Sequence, residues 1–210
     1  NDPLVITNEE HRFIALEQLN ELNHISAKLL LEPVGKNTAP ALTMAAMQAL
    51  KDQEDSILVV TPADQIIRDS NAFSEALKKS ISTATNNNLV TLGLVPDKAE
   101  TGYGYIKYNQ TKGNFDEFDV LEFVEKPSKN KAKQYLESKK YLWNSGMFVV
   151  GAKFWLETIK SLRFDIFQQT LNAFQGMTKD NHFFRPNKQT FSKIPSESID
   201  YAVIEKCNSA

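Results

Sequence analysis

One cysteine in 210 residues, Cys207, excludes an internal disulfide and a Cys-rich zinc site. Histidine is almost as scarce. His11, His24 and His182 stand far apart, without the spacing of metal ligands. An excess of either charge is missing too: 24 Lys and Arg against 26 Asp and Glu leave a net charge of −2. With no basic run or stripe, the electrostatic footprint of a nucleic-acid binder is absent. No apolar stretch approaches the roughly 20 residues that span a bilayer. The opening "NDPLVITNEEHRF" carries acids where a secretory leader would carry bases, so no leader and a soluble, cytoplasmic chain are expected. A start on Asn, almost at once in a strand-like run, reads as a piece of a longer chain. No G-x-G-x-x-G follows any strand, which disfavours a dinucleotide-dependent oxidoreductase.

What is present is a rhythm. "PLVIT" is a short β-branched run, and Phe13, Leu16, Leu19 and Leu22 then recur at helical spacing behind a polar "NEEH". "AKLLLEP" is a second strand, ended by Pro33. "TAPALTMAAMQAL" is a helix, with Thr38 as its expected N-cap and Pro40 in its first turn. "SILVVTPAD" is apolar enough to be buried on both faces, as in a parallel sheet. "SNAFSEALKKSISTAT" predicts a helix capped by Ser70, and "NLVTLGLVP" a fourth strand. Strands alternating with helices signal an α/β fold with a mostly parallel central sheet. After residue 100 a hairpin-like excursion with Gly and Asn turns replaces that rhythm. Helices are then expected at 128–139, "AKFWLETIKSL", "FDIFQQTLNAF" and "SESIDYAVIEKC", and a strand at "YLWNSGMFVV". No linker or repeat interrupts the chain, so a single domain over 1–210 is expected.

Several stretches could carry chemistry. Asp64, in "TPAD", falls just beyond a strand's carboxyl end, where ligands bind in open α/β sheets. It suits Mg²⁺, which takes oxygen ligands, and equally suits a turn cap. Gly102-Tyr103-Gly104 lets a backbone approach a ligand closely, or simply makes a tight turn. Glu125 and Lys126 close an apolar strand before Pro127. They are either surface charges or the rim of a pocket, with Lys126 a point charge for phosphate and Glu125 an acceptor for sugar hydroxyls. Asn144 and Gly146 interrupt an apolar run. The amide needs partners, since an unpaired buried one costs about 1–3 kcal/mol, and the glycine marks a bulge or a close approach.

In order, "NEEHRF", "LEPVGKNTAPA", "TPAD", "ETGYGYI", "FVEKP", "WNSGMF" and "SIDYAVIEK" resemble the bacterial mannose-1-phosphate guanylyltransferases, or GDP-mannose pyrophosphorylases, over essentially the whole chain. One branch of that family also carries a phosphomannose isomerase domain. The resemblance implies a Rossmann-like nucleotidyltransferase fold, with a mixed, mainly parallel sheet flanked by helices. It implies the reaction of mannose 1-phosphate with GTP to give GDP-mannose and pyrophosphate, with Mg²⁺, in GDP-mannose and polysaccharide biosynthesis. A homo-oligomer is left open.

Carried over by motif, Asp64 is the metal ligand and, with Lys126, a catalytic residue. Gly102, Tyr103, Gly104, Glu125, Lys126, Asn144 and Asp200 are implied to hold the sugar phosphate. The loop after the second strand is implied to take the guanine. Guanine offers N1–H and its N2 amino group side by side, so a carboxylate is a fitting acceptor, and Glu32 is the candidate reader. Lys36, Asn37, Thr38 and Pro62 complete the nucleotide set. Lys36 departs from the family, which usually has Arg there; a point ammonium lacks the bidentate fork. The family's Gly-rich triphosphate loop is expected before residue 1 and its second metal-binding aspartate after Cys207. The 210-residue piece alone is therefore expected to have negligible transferase activity. The rival readings are a pyrophosphorylase for another sugar or nucleotide, and a non-catalytic binding or regulatory subunit that should have lost Asp64, Glu125 and Lys126.

Overall fold

The computed structural model describes residues 3–22, 26–52, 56–109 and 117–206. In chain order the elements are β1 (Leu4–Asn8), a 3-10 turn (Glu9–His11), α1 (Arg12–Glu21), β2 (Lys28–Glu32), α2 (Thr38–Asp52), β3 (Ile57–Val60), α3 (Ser70–Ala84) and β4 (Val90–Leu94). There follow β5 (Tyr105–Asn109), β6 (Asp119–Val124), α4 (Lys129–Ser138), β7 (Tyr141–Gly151), α5 (Ala152–Leu162) and α6 (Phe164–Gln175). A short hairpin, β8 (Thr178–Asp180) and β9 (Phe183–Arg185), precedes α7 (Lys188–Phe191), α8 (Ile199–Ala202) and a last 3-10 turn (Ile204–Lys206). The chain divides into two compact units, residues 1–56 with 155–202, and 57–154 with 203–210.

In the first unit, Leu29, Leu30 and Leu31 are fully buried because β2 lies inside a sheet and is covered on both faces. The strand order is β1-β2-β9-β8. β1 and β9 both run parallel to β2, with Leu4 opposite Lys28 and Leu29 opposite Phe183, while β8 returns antiparallel to β9. α2 is apolar and small along its length, and Ala39, Leu42, Met44 and Ala46 are buried. Two polar groups in this core satisfy each other. Trp155 Nε1 donates to Thr43 Oγ1 at 3.1 Å, and Thr43 in turn donates to the Ala39 carbonyl at 2.7 Å.

In the second unit, β7 is the common partner of β3, β4 and β5, and β6 completes a hairpin with β5. All of these ladders are antiparallel. The expectation of a mainly parallel sheet is therefore corrected. The α/β class and a mixed pairing stand, but parallel ladders among the described residues are confined to the first unit. "SILVV" misled because an apolar run fits any covered strand; β3 is only partly covered, with Val59 41% exposed, and pairs antiparallel with β7. Two further corrections are local. Asp69, not Ser70, caps α3, its Oδ1 accepting from the Ala72 amide at 2.9 Å. The β8–β9 hairpin was not expected, because strands of three residues leave no readable alternation. His24, Cys207 and residues 110–116, where Gly and Asn turns were expected, lie outside the described residues.

Thr43→Val keeps the shape of the side chain but leaves the buried indole N–H of Trp155 without an acceptor. Equilibrium urea unfolding is expected to show a loss of about 1–3 kcal/mol, with the m-value unchanged.

Candidate functional site

The first unit holds one cluster of sequence-selected residues, around the loop between β2 and α2. Glu32 closes β2, and its Oε1 is buried without a hydrogen-bond partner among the described residues. Burial pushes its carboxyl up from 4.5 to about 7, because the charged form is stripped of water. Pro33 cannot continue the ladder, and the chain turns through Asn37 with φ of 69°. Asn tolerates this left-handed backbone because its short side chain bonds locally: Oδ1 accepts from the Thr38 amide at 2.9 Å. Asn37, rather than Thr38, thus supplies the side-chain acceptor at the start of α2. The Thr38 hydroxyl is used elsewhere, accepting from the Ile199 amide at 2.9 Å. Ala39 donates to the Glu197 carbonyl at 3.1 Å, and Lys36 Nζ donates to the Ser192 carbonyl at 2.8 Å. These bonds bring the loop together with the segment that carries Asp200, in the first turn of α8.

The second unit holds the other sequence-selected residues. β4 and β7 fall out of register between Thr91 opposite Phe148 and Gly93 opposite Asn144, so Ser145-Gly146-Met147 faces Leu92 alone. This is the bulge that Gly146 signalled, and its φ of 73° is one that glycine adopts without strain. A Cβ on Gly146 would lie 3.5 Å from Pro62 Cγ, which puts the "TPAD" stretch against the bulge. Gln65 Nε2 fastens it there by donating to the Ser145 carbonyl at 2.6 Å. Asp64 sits in the turn after β3 and is exposed. Asn144 Oδ1 accepts from Thr91 Oγ1 at 3.0 Å and from the Gly146 amide at 3.2 Å, which fixes the bulge.

Asn144 also donates its amide to the Gly104 carbonyl at 2.8 Å. A Cβ on Gly104 would meet Glu125 Oε2 at 2.6 Å, Phe123 Cζ at 2.8 Å and Asn144 Cβ at 3.3 Å, so Gly104, Glu125 and Asn144 converge. Lys126 leaves extended backbone with φ of 45°, which turns its ammonium back to 3.4 Å from Glu125 Oε1. Glu125 is largely covered there and Lys126 mostly exposed. Tyr103 stands edge-on to Trp143, their rings 5.2 Å apart.

Sequence reasoning missed Glu100, which builds the Gly102 turn. Its Oε1 accepts from the Thr101 and Gly102 amides at 3.0 and 3.2 Å, and those bonds, led by Gly102, hold its carboxyl below the usual range. It also missed Thr91 and Gln65, whose partners are 53 and 80 residues away, so no local pattern could expose them.

The nucleotidyl transferase family model matches residues 1–188. The chain belongs to that family. The matched span of this nucleotidyl transferase domain includes every candidate residue except Asp200. The chain is 47% identical over 206 residues to a mannose-1-phosphate guanylyltransferase of Salmonella muenchen, covering 97% of this chain and 43% of that protein. It is 42% identical over 209 residues to the mannose-1-phosphate guanylyltransferase of Escherichia coli K12, covering 97% and 44%. The chain thus spans less than half the length of these curated relatives. Among solved structures, it resembles the Helicobacter pylori protein titled mannose-6-phosphate isomerase, with a TM-score of 0.88, 33% identity and 80% of that chain covered. It also resembles the Thermus thermophilus protein titled mannose-1-phosphate geranyltransferase, with a TM-score of 0.82, 30% identity and 56% covered.

The Glu32 environment has a consequence for stability. The unfolded chain releases this proton near 4.5 and the folded chain near 7, so between those values the folded state binds more protons. The stability it contributes is full below pH 4.5 and lost as pH rises through about 7. Glu32→Gln removes the charge, and its urea midpoint should match that of the native chain at acidic pH. At alkaline pH the variant should be the more stable by about 1–3 kcal/mol.

Proposed function

We propose that the protein containing this chain transfers the guanylyl group of GTP to mannose 1-phosphate, giving GDP-mannose and pyrophosphate. A phosphate oxygen of the sugar phosphate attacks the α-phosphorus, and the bond to the β-phosphate breaks in line, releasing pyrophosphate. The nucleophile is already an anion, so no general base is required. Catalysis then rests on positioning and charge neutralisation, which suits a chain whose described residues show no serine, cysteine or histidine nucleophile–base constellation. The names and extent of similarity of the relatives support the reading, and one observation carries its nucleotide half. Glu32 holds a buried carboxylate oxygen with no partner among the described residues, at the end of β2, in a loop tied by bonds to the 192–199 segment. Guanine offers two adjacent donors that such a carboxylate would accept.

On this reading Asn37, Thr38 and the adjoining backbone enclose the base, and the second unit holds the sugar phosphate. Gly104 and Asn144 bring backbone beside Glu125, which offers an acceptor to hydroxyls, and exposed Lys126 offers its ammonium to phosphate. For Mg²⁺ the donor set fits: Asp64 presents an exposed carboxylate, and this cation takes one or two carboxylates with phosphates and water. Bound there, it would supply charge neutralisation at the phosphates. No described helix is long and apolar enough to cross a membrane. A cytoplasmic location goes with the reading, because GTP is the substrate.

The full-length protein with GTP, mannose 1-phosphate and a magnesium salt is expected to form GDP-mannose and pyrophosphate in equal amounts. Turnover only with another nucleotide or sugar phosphate would favour the related pyrophosphorylase, and none with any pair a binding subunit. If Glu32 must be ionised to accept from guanine, KM for GTP should rise as pH falls below about 7. Glu32→Gln should flatten that dependence and weaken the preference for GTP over ATP; an unchanged preference would remove Glu32 as the base reader. Gly104→Ala, whose Cβ would press on Glu125 Oε2 and Phe123 Cζ, should raise KM for mannose 1-phosphate about tenfold with little change in KM for GTP.

A further inference from the structure

We propose that Arg163 and Glu197 form a positioning clamp for the Glu32–Pro40 loop, setting GTP affinity and base preference without touching the nucleotide. The proposal rests on the reading of that loop as the guanine pocket.

The loop is tied to one remote segment at successive points. Lys36 Nζ reaches the Ser192 carbonyl, the Thr38 hydroxyl receives the Ile199 amide, and the Ala39 amide reaches the Glu197 carbonyl. Each tie spans more than 150 residues of sequence, so the loop's shape depends on more than its own residues. Asn37, at φ of 69°, holds its left-handed backbone through its own bond to the Thr38 amide, and the remote ties act on the residues beside it.

The segment is itself anchored. Ile194 and Ile199 are buried on either side of it, 1% and 2% exposed. Between them Glu197 is held by the Arg163 guanidinium. Arg163 is in turn oriented by Asp165, its Nε and Nη2 donating to that carboxylate at 2.9 and 2.7 Å. The planar guanidinium meets Asp165 bidentately through Nε and Nη2 and leaves Nη1 for Glu197. Arg163 and Glu197 are only about one-fifth exposed, whereas Asp165 is half exposed. The charge pair therefore fixes the backbone carbonyl of Glu197 that receives Ala39, the first wholly buried residue of α2. A loop fixed beforehand spares the base the ordering cost that a free loop would impose on binding.

The test uses the full-length protein and steady-state kinetics of Glu197→Gln, Arg163→Met and Arg163→Lys, with thermal midpoints measured alongside. Glu197→Gln and Arg163→Met are expected to raise KM for GTP about tenfold and to narrow the preference for GTP over ATP. KM for mannose 1-phosphate should stay within about twofold, and Arg163→Lys should recover part of the loss. Because both act through one contact, the double variant should be no worse than the more impaired single one. Unchanged GTP kinetics in the variants would overturn the clamp. So would equal rises in both KM values that merely follow the thermal midpoint. If Glu32→Gln alters base preference while the clamp variants do not, the pocket reading survives and the clamp does not. If the wild-type protein does not use GTP at all, both fall.

Discussion

The departure of β7 from its ladder with β4 organises the second unit. β7 is the strand to which β3, β4 and β5 all pair, so a displacement in it reaches three neighbours. At Ser145–Met147 the strand takes up extra length, and the slack is absorbed by Gly146 in a left-handed conformation. The amide side chain of Asn144 closes the gap by accepting from Thr91 and Gly146. With the ladder opened there, Pro62 and Gln65 settle against the bulge on one side, and Gly104 hydrogen-bonds to Asn144 through its carbonyl. A regular strand would present alternating side chains and no such meeting point.

The first unit solves a different problem, that of holding a carboxylate where water is scarce. Glu32 ends a strand whose three preceding leucines are buried, so the desolvation of its head group follows from its place in the sheet. Among the described residues no cation is paired with it to lower that cost. A buried acceptor left open costs stability. The loop after it is shaped locally at Pro33 and Asn37 and is tied from outside by the segment around Glu197.

Much of this was legible along the chain. The elements with a clear apolar pattern, β2, α2 and β7 above all, coincide with runs that bury a stripe or face. Gly146 and Asn144 stood out as polar and flexible residues in an apolar run, and both are at the bulge. Lys36 and Thr38 were legible as members of a loop, but their bonding was not. Lys36 serves the Ser192 carbonyl, and Thr38 accepts from Ile199 in place of capping its own helix. The sense of strand pairing was also illegible. β3 and β2 are both short apolar runs, yet one is antiparallel to β7 and the other parallel to two neighbours.

The chain's residues by themselves determined the class of fold, the positions of most of its longer elements and a set of candidate side chains. They did so because periodicity, turn residues and caps act over a few positions, where sequence neighbours are also spatial neighbours. Tertiary structure alone decided which of those side chains meet. Gly104 lies 21 residues from Glu125 and 40 from Asn144 along the chain but within contact of both, and Thr38 lies 161 residues from the amide it accepts. Strand direction, the burial that shifts Glu32 and the bonds that shape its loop all depend on closing long stretches of chain. No local preference encodes that closure, because its free energy belongs to the packed unit as a whole.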